Sequence, residues 1–391
     1  MLQWQHQGTD HQAAWRSESG LPAPRRVVVA DDTTPADTAY RLACEGTALL
    51  WQGDFQNARH LMEAIKRRLD KPARNHSAKA RKAKATAAEP VAPAQAFHLH
   101  RQAQGQRARV LSSILIALQP DYSMALRRAP DWRQACIEAW GAPAADAGMQ
   151  VVSLRELLGV VGAHEWRKKG VAMPVLGKQA RIYPHYGVFS PVRGEYVALV
   201  NEAPLPEAGR ERAFDIGVGT GVLSALLAKR GVQQVVATDM SERALACAQD
   251  NLQRLGLSER VQLQQADLFP EGQAGLIVCN PPWVPARPVT MLEHAVYDDN
   301  STMLRGFLQG VRAHLLPDGE AWLILSDLAE HLGLRSREEL LSWIEAAGLY
   351  VVFRMDTQPT HGKAQDASDP LHAARAQEVT SLWRLKVARA S

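Results

Sequence analysis

The rhythm of hydrophobic and polar positions changes near residue 213. From there on, short apolar runs at 213–217, 234–239, 261–267, 275–280 and 321–326 read as strands, and segments of helical spacing at 222–230, 242–255 and 301–316 read as helices. Strands alternating with helices at this interval predict an α/β fold built on a parallel, doubly wound sheet. Ser241 stands where a helix N-cap belongs, and Gly256 follows Leu255 where a left-handed residue closes a helix.

Upstream the pattern is largely helical. Leu42, Leu49, Leu50, Ala58, Leu61 and Ile65 recur at near-helical spacing around a break at Trp51-Gln-Gly-Asp54, and 97–118, 131–140 and 154–166 read as further helices. The expected organisation is a tail at 1–35, a small, mostly helical accessory domain at 36–170, and the α/β domain at 171–391, entered through a strand or hairpin at 176–189. A basic, Ala/Pro-rich linker occupies 66–96. Between Lys66 and Lys84 it holds nine Lys or Arg against one acid, Asp70. No aromatic residue interleaves that run, so it reads first as a solvated surface segment; its alternative use is electrostatic contact with a nucleic acid such as RNA.

A chain of 391 residues is long enough for two domains. Its 46% hydrophobic and 22% charged residues, with ten tryptophans, are those of a packed globular protein. Apolar runs stay far short of the ~20 residues of a membrane span, and the first twenty residues are too polar for a signal peptide. The expected location is the cytoplasm, with no membrane partner. Cys44, Cys136, Cys247 and Cys279 form no Cys-x-x-Cys pair, and thirteen histidines show no zinc-site spacing, so neither a disulfide framework nor a metal is expected.

In an open α/β sheet, ligands sit outside the carboxyl ends of the strands. Four such ends carry chemistry. Asp215-Ile-Gly217-Val-Gly219-Thr-Gly221 ends a strand in glycines that let a ligand approach the backbone, and runs straight into a helix N-terminus. A dinucleotide fingerprint would need glycine where Val222 stands, which argues against NAD. Asp239 ends the next strand, where an acid can accept from both ribose hydroxyls. Asp267 ends the third, placed either to accept from an adenine amine or to cap a turn. The fourth end is Asn280-Pro281-Pro282-Trp283. Two prolines in series remove amide donors and stop the strand. An amide or aromatic amine is a poor nucleophile because its lone pair is delocalised; the Asn280 side-chain oxygen and the Pro281 carbonyl can hold such an NH2 with its lone pair toward a methyl sulfonium, while Trp283 stacks on the planar group.

With these four ends, the segment from Tyr183 onward resembles class I S-adenosylmethionine-dependent methyltransferases of the small-domain group that carry the N6-adenine-type Asn-Pro-Pro-aromatic signature. Tyr186-Gly-Val-Phe-Ser-Pro191 followed by Glu195-Tyr-Val-Ala-Leu199 looks like the entry segment of release-factor glutamine N5-methyltransferases, and is similar to that of ribosomal RNA guanine N2-methyltransferases. The resemblance implies a Rossmann-like seven-stranded sheet whose last two strands, fitted by 348–355 and 381–388, form an antiparallel hairpin. It implies S-adenosyl-L-methionine as cofactor, with Gly217, Gly219 and Gly221 along its methionine and ribose, Asp215 near its ammonium, Asp239 on the ribose and Asp267 on the adenine amine. It implies Asn280, Pro281, Pro282 and Trp283 as the acceptor site, with Trp283 in place of the commoner Tyr.

The expected activity is direct in-line transfer of methyl to a planar nitrogen, without a strong general base. The leading acceptor is a glutamine side chain in a translation-related protein; the alternative is an exocyclic base amine in RNA or DNA. A non-catalytic cofactor-binding or ribosome-assembly module is the reading from another class. Ser326, Asp327, Glu330 and His331 read as a strand-to-helix cap, and the loop 293–302 as a candidate lid.

Overall fold

The structure, a computed structural model, describes residues 1–70, 91–192, 194–358 and 369–388. Most of the basic run, from Lys71 to Lys84, lies outside the described residues. The chain divides into two compact units, Met1–His164 and Glu165–Ser391.

In the second unit each apolar run becomes a strand. These are β9 (Arg212–Ile216), β10 (Gln234–Asp239), β11 (Val261–Gln265), β12 (Ala274–Cys279), β13 (Leu315–Ser326), β14 (Leu349–Thr357) and β15 (Thr380–Val387). They form one sheet in the order β11-β10-β9-β12-β13-β15-β14, with β9 to β13 mutually parallel and β15 antiparallel to both its neighbours. The seven-stranded Rossmann-like sheet and its terminal hairpin are therefore as expected. Strand β12 is buried at every position, because helices cover both faces of the sheet. Alternate residues divide between those faces. Leu276, Val278, Trp322 and Ile324 pack with the helices Val222–Lys229 and Glu195–Glu202. Ile277, Cys279, Leu323 and Leu325 pack with Thr302–His314 and Arg337–Ala346. Helix Glu242–Arg254 begins at Ser241, whose hydroxyl accepts from the Ala244 amide at 3.3 Å, and stops before Gly256 at φ 68°.

Glu320 places a charged group deep in this sheet. Glu320, 3% exposed, accepts two 2.8 Å hydrogen bonds from Arg384 across the β13–β15 pairing and one of 3.0 Å from the Trp322 indole. Burial alone would raise its pKa; the bonds from Arg384 and Trp322 outweigh that and hold it below the usual glutamate range. Arg384→Ala strands a buried carboxylate and leaves it Lys386 at 3.9 Å in place of the guanidinium. The expected loss of stability is about 3 kcal/mol, read as a lower urea midpoint.

The first unit corrects the expected tail and the mostly helical accessory domain. Residues 1–35 contain β1 (Leu2–His6), β2 (Thr9–Trp15) and β3 (Arg26–Ala30), and β4 (Thr47–Trp51), β5 (Ile114–Leu118) and β6 (Gln150–Ser153) complete a six-stranded mixed sheet in the order β1-β2-β6-β5-β4-β3. Helices Ala36–Cys44, Phe55–Asp70, Pro93–Leu111 and Arg133–Trp140 accompany it. Strand β4 is five residues buried on both faces between two helices, and such a run has no period of its own to distinguish it from helix. In β1, buried Leu2 and Trp4 alternate with glutamines, a strand signature hidden by polar composition. The expected strand or hairpin at 176–189 reduces to a two-residue pairing of β7 (Val171–Ala172) with β8 (Arg181–Ile182) and a 3-10 turn at Pro174–Leu176.

Candidate cofactor and acceptor site

Sheet register places the strand tips side by side. Ile216 of β9 pairs with Thr238 of β10 and with Cys279 of β12, so Gly217, Asp239 and Asn280 are the next residues at the tips of three adjacent strands. Asp239 in turn pairs with Gln265 of β11. The Ala266 amide donates to the Asp239 carbonyl at 3.2 Å, which carries the exposed Asp267 to the same edge.

The glycine loop is a backbone cradle. Gly217, Gly219 and Gly221 all have positive φ (81°, 52° and 81°), a region that costs a side-chain-bearing residue energy. A Cβ on Gly221 would also stand 3.2 Å from that of Ala248, because the loop is pressed against the neighbouring helix. Amides of Gly217 and Val218 both donate to the Thr238 carbonyl, at 2.9 and 2.8 Å. Gly219 donates to Asp239 Oδ2 at 3.1 Å and Ser241 to Oδ1 at 2.9 Å, fixing the carboxylate while each oxygen keeps a lone pair for a ligand. Burial raises the pKa of Asp239, opposed by the amides of Ser241, Gly219 and Met240.

Asp215, 1% exposed, lies beneath this loop. Its Oδ2 accepts from the Ser224 hydroxyl at 2.5 Å, while Oδ1 is buried without a hydrogen-bond partner. Burial pushes the carboxyl up to about 7 against the bonds from the Ser224 hydroxyl and amide, and the Asp239 charge adds to the rise. An orphaned acceptor under a positive-φ glycine loop, with a second carboxylate beside it, can take a ligand that carries an ammonium group and hydroxyls.

At the acceptor end, the strand stops at Asn280-Pro-Pro, and the Trp283 indole N–H donates to Asn280 Oδ1 at 2.9 Å. That bond, which the sequence did not announce, fixes the orientation of the Asn280 amide and occupies one of the two lone pairs on its oxygen. The Trp283 ring is half-buried and packs on the hydrophobic clusters of both sheet faces. Asp298, 7% exposed, was also missed. It caps helix Thr302–His314 through the Met303 and Leu304 amides, each at 3.0 Å, and its own amide donates to Val284 just after the Asn-Pro-Pro-Trp motif. The candidate lid is thereby tied to the acceptor motif. Ser326, Asp327 and Glu330 serve the junction beyond β13: the Ser326 hydroxyl accepts from Leu328, Asp327 accepts from Val379, and Glu330 pairs with Arg337 at 2.7 Å. Among the described residues no group of three His, Cys, Asp or Glu is arranged to hold a metal ion, and no helix is long and apolar enough to cross a membrane.

Residues 179–337 match the family described as Methyltransferase small domain. Among curated proteins, a release factor glutamine methyltransferase from Cereibacter sphaeroides is 33% identical over 35% of this chain and 51% of its own length. A tRNA1(Val) (adenine(37)-N6)-methyltransferase from Shewanella is 28% identical over 44% of this chain and 74% of its own. A ribosomal protein uL3 glutamine methyltransferase from Bordetella pertussis is 36% identical over 26% and 35%. The chain thus spans about half the length of the release-factor relative. Among solved structures, a ribosomal protein L11 methylase from Lactobacillus delbrueckii aligns with 56% of this chain and 91% of its own at 17% identity and a TM-score of 0.37.

The second unit is a class I methyltransferase fold. More particularly, residues 179–337 match the methyltransferase small domain, a family whose cofactor is S-adenosylmethionine.

Proposed function

We propose that the second unit transfers a methyl group to the nitrogen of a planar NH2. The observation that carries this reading is the Asn280 amide oxygen, held by Trp283 at the tip of β12 one strand from Gly217. S-adenosylmethionine supplies the electrophilic methyl. Asp239 holds the ribose hydroxyls, Asp267 the adenine amine, Asp215 the ammonium, and the backbone at Gly217, Gly219 and Gly221 passes beneath. The free lone pair of Asn280 and the Pro281 carbonyl accept the two N–H bonds of the NH2, turning the nitrogen lone pair toward the cofactor side; the exposed part of the Trp283 ring supports the planar group. Pro281 and Pro282 keep the motif rigid. The methylated nitrogen is acidic and gives its proton to water, so positioning supplies most of the rate.

For the acceptor, a glutamine amide of a translation protein is the leading reading, supported by two glutamine methyltransferases among the relatives and by the entry segment 186–199. A base amine in RNA is the second, supported by the tRNA enzyme, 74% of which is covered. The purified protein with labelled S-adenosylmethionine and an extract lacking its own copy tests both. Label released by protease supports the first, label released by ribonuclease the second, and cofactor binding without any transfer overturns the catalytic reading.

Asp215 adds a pH dependence. An ammonium favours the ionised carboxylate, so cofactor binding releases a proton below about pH 7, and affinity rises with pH up to that value and then levels. The same group acts on folding with the opposite sign. Its folded pKa lies above the ordinary ~3.9, so the folded state holds the extra proton and stability falls as pH rises from about 4 to about 7. Titration calorimetry in buffers of different ionisation enthalpy reads the proton release, and Asp215→Asn is expected to abolish it.

A further inference from the structure

Helix Glu242–Arg254 does more than flank the glycine loop. One of its faces holds residues 183–186, the lead-in to the entry segment and counted with it below, along its length. Arg243 lies over the Tyr186 ring at 5.7 Å and Arg254 over the Tyr183 ring at 4.7 Å. Between them Cys247 Sγ accepts from the His185 amide at 3.4 Å, and Asp250 Oδ2 meets His185 Nε2 at 2.8 Å. Positions 243, 247, 250, 251 and 254 are spaced as one helical stripe.

At the centre of the stripe is Asn251, 1% exposed. Its Oδ1 accepts from the Tyr183 amide at 2.8 Å. Its Nδ2 faces the Tyr183 carbonyl at 3.3 Å, the Thr220 carbonyl of the glycine loop at 3.1 Å and Cys247 Sγ at 3.5 Å. Two N–H bonds are therefore shared among three acceptors, two on the entry segment and its clamp and one inside the cofactor cradle. A movement of the Thr220 carbonyl changes how that amide divides itself, and so how firmly Tyr183 is held.

We infer that Asn251 is a positioning residue that couples the cofactor loop at Thr220 to the entry segment at Tyr183. The inference rests on the reading of the glycine loop as the S-adenosylmethionine site. Filling the cradle immobilises Thr220, strengthens the Asn251 contacts and tightens the Tyr183 backbone; a well-held entry segment in turn favours the bound loop, since coupling between two sites is reciprocal.

Hydrogen exchange at the Tyr183 and Gly221 amides, with and without S-adenosylmethionine, tests this beside calorimetric affinity. In the wild type, cofactor is expected to slow both amides about tenfold. In Asn251→Leu, similar in shape but without hydrogen bonds, cofactor slows Gly221 alone and affinity falls about tenfold. Asn251→Asp keeps the acceptor for the Tyr183 amide, loses both donors and is expected to lose the coupling too. A purely structural role lowers the melting temperature of both variants and leaves the cofactor effect at Tyr183 intact, which overturns the inference. The wild-type measurement suffices should the variants fail to fold: tight binding with unchanged Tyr183 exchange overturns the coupling alone, whereas no binding overturns the reading of the glycine loop and the coupling with it.

Discussion

Asn280→Ala is expected to lower kcat by about 10²–10³-fold and to leave the dissociation constant of S-adenosylmethionine within about twofold, because one precisely aimed hydrogen-bond acceptor is lost and the cofactor cradle is untouched. Single-turnover transfer and calorimetry separate the two quantities. The Trp283 indole gives the experiment its control. Since that N–H fixes the Asn280 amide at 2.9 Å, Trp283→Phe keeps an aromatic ring and the acceptor oxygen but frees the amide to rotate. Its expected loss is smaller, about tenfold in kcat. Asn280→Asp preserves the oxygen and the indole bond, and is expected to fall between Trp283→Phe and Asn280→Ala. Wild-type turnover in Asn280→Ala with the true acceptor would refute the proposed chemistry.

The second large effect is on the cofactor itself. Asp239→Ala removes the acceptor for two ribose hydroxyls and also releases the Gly219 and Ser241 amides, which the carboxylate now holds at 3.1 and 2.9 Å. Hydrogen bonds to a charged group contribute about 1.5–3 kcal/mol each, so affinity for S-adenosylmethionine is expected to fall by about 10²-fold or more. Asp239→Asn retains one acceptor and loses less. Binding within a few-fold of wild type in Asp239→Ala would place the ribose elsewhere.

How much of this was legible follows from where each signal lies. Strands β9, β10, β12 and β13 announce themselves because both sheet faces are covered, and a doubly buried strand is an unbroken apolar run. The tips of those strands are legible for the same reason, since glycines, acids and Asn-Pro-Pro interrupt apolar runs at fixed places. The first unit hides its strands: β1 buries Leu2 and Trp4 between glutamines, and β4 is a short apolar stretch, buried on both faces, that lies between two helices along the chain. Contacts between distant residues leave no local trace. Asn251 and Tyr183 are 68 positions apart, and nothing in either neighbourhood indicates that they touch. Asp298 has the local sequence of a polar loop residue, and nothing in it indicates that the carboxylate caps the Met303 and Leu304 amides.

The placement of β15 between β13 and β14 sets an order of assembly during synthesis. Both neighbours leave the ribosome before the strand that joins them, so for a time β13 presents an open edge and β14 has no partner in the sheet. In that interval Glu320 lacks Arg384, and the apolar rows of Trp322 and Leu323 lie at an unfinished border. An open, hydrophobic strand edge is a template for pairing with the wrong chain. Until Thr380–Val387 pairs, the β13 edge therefore stays open to association with other chains.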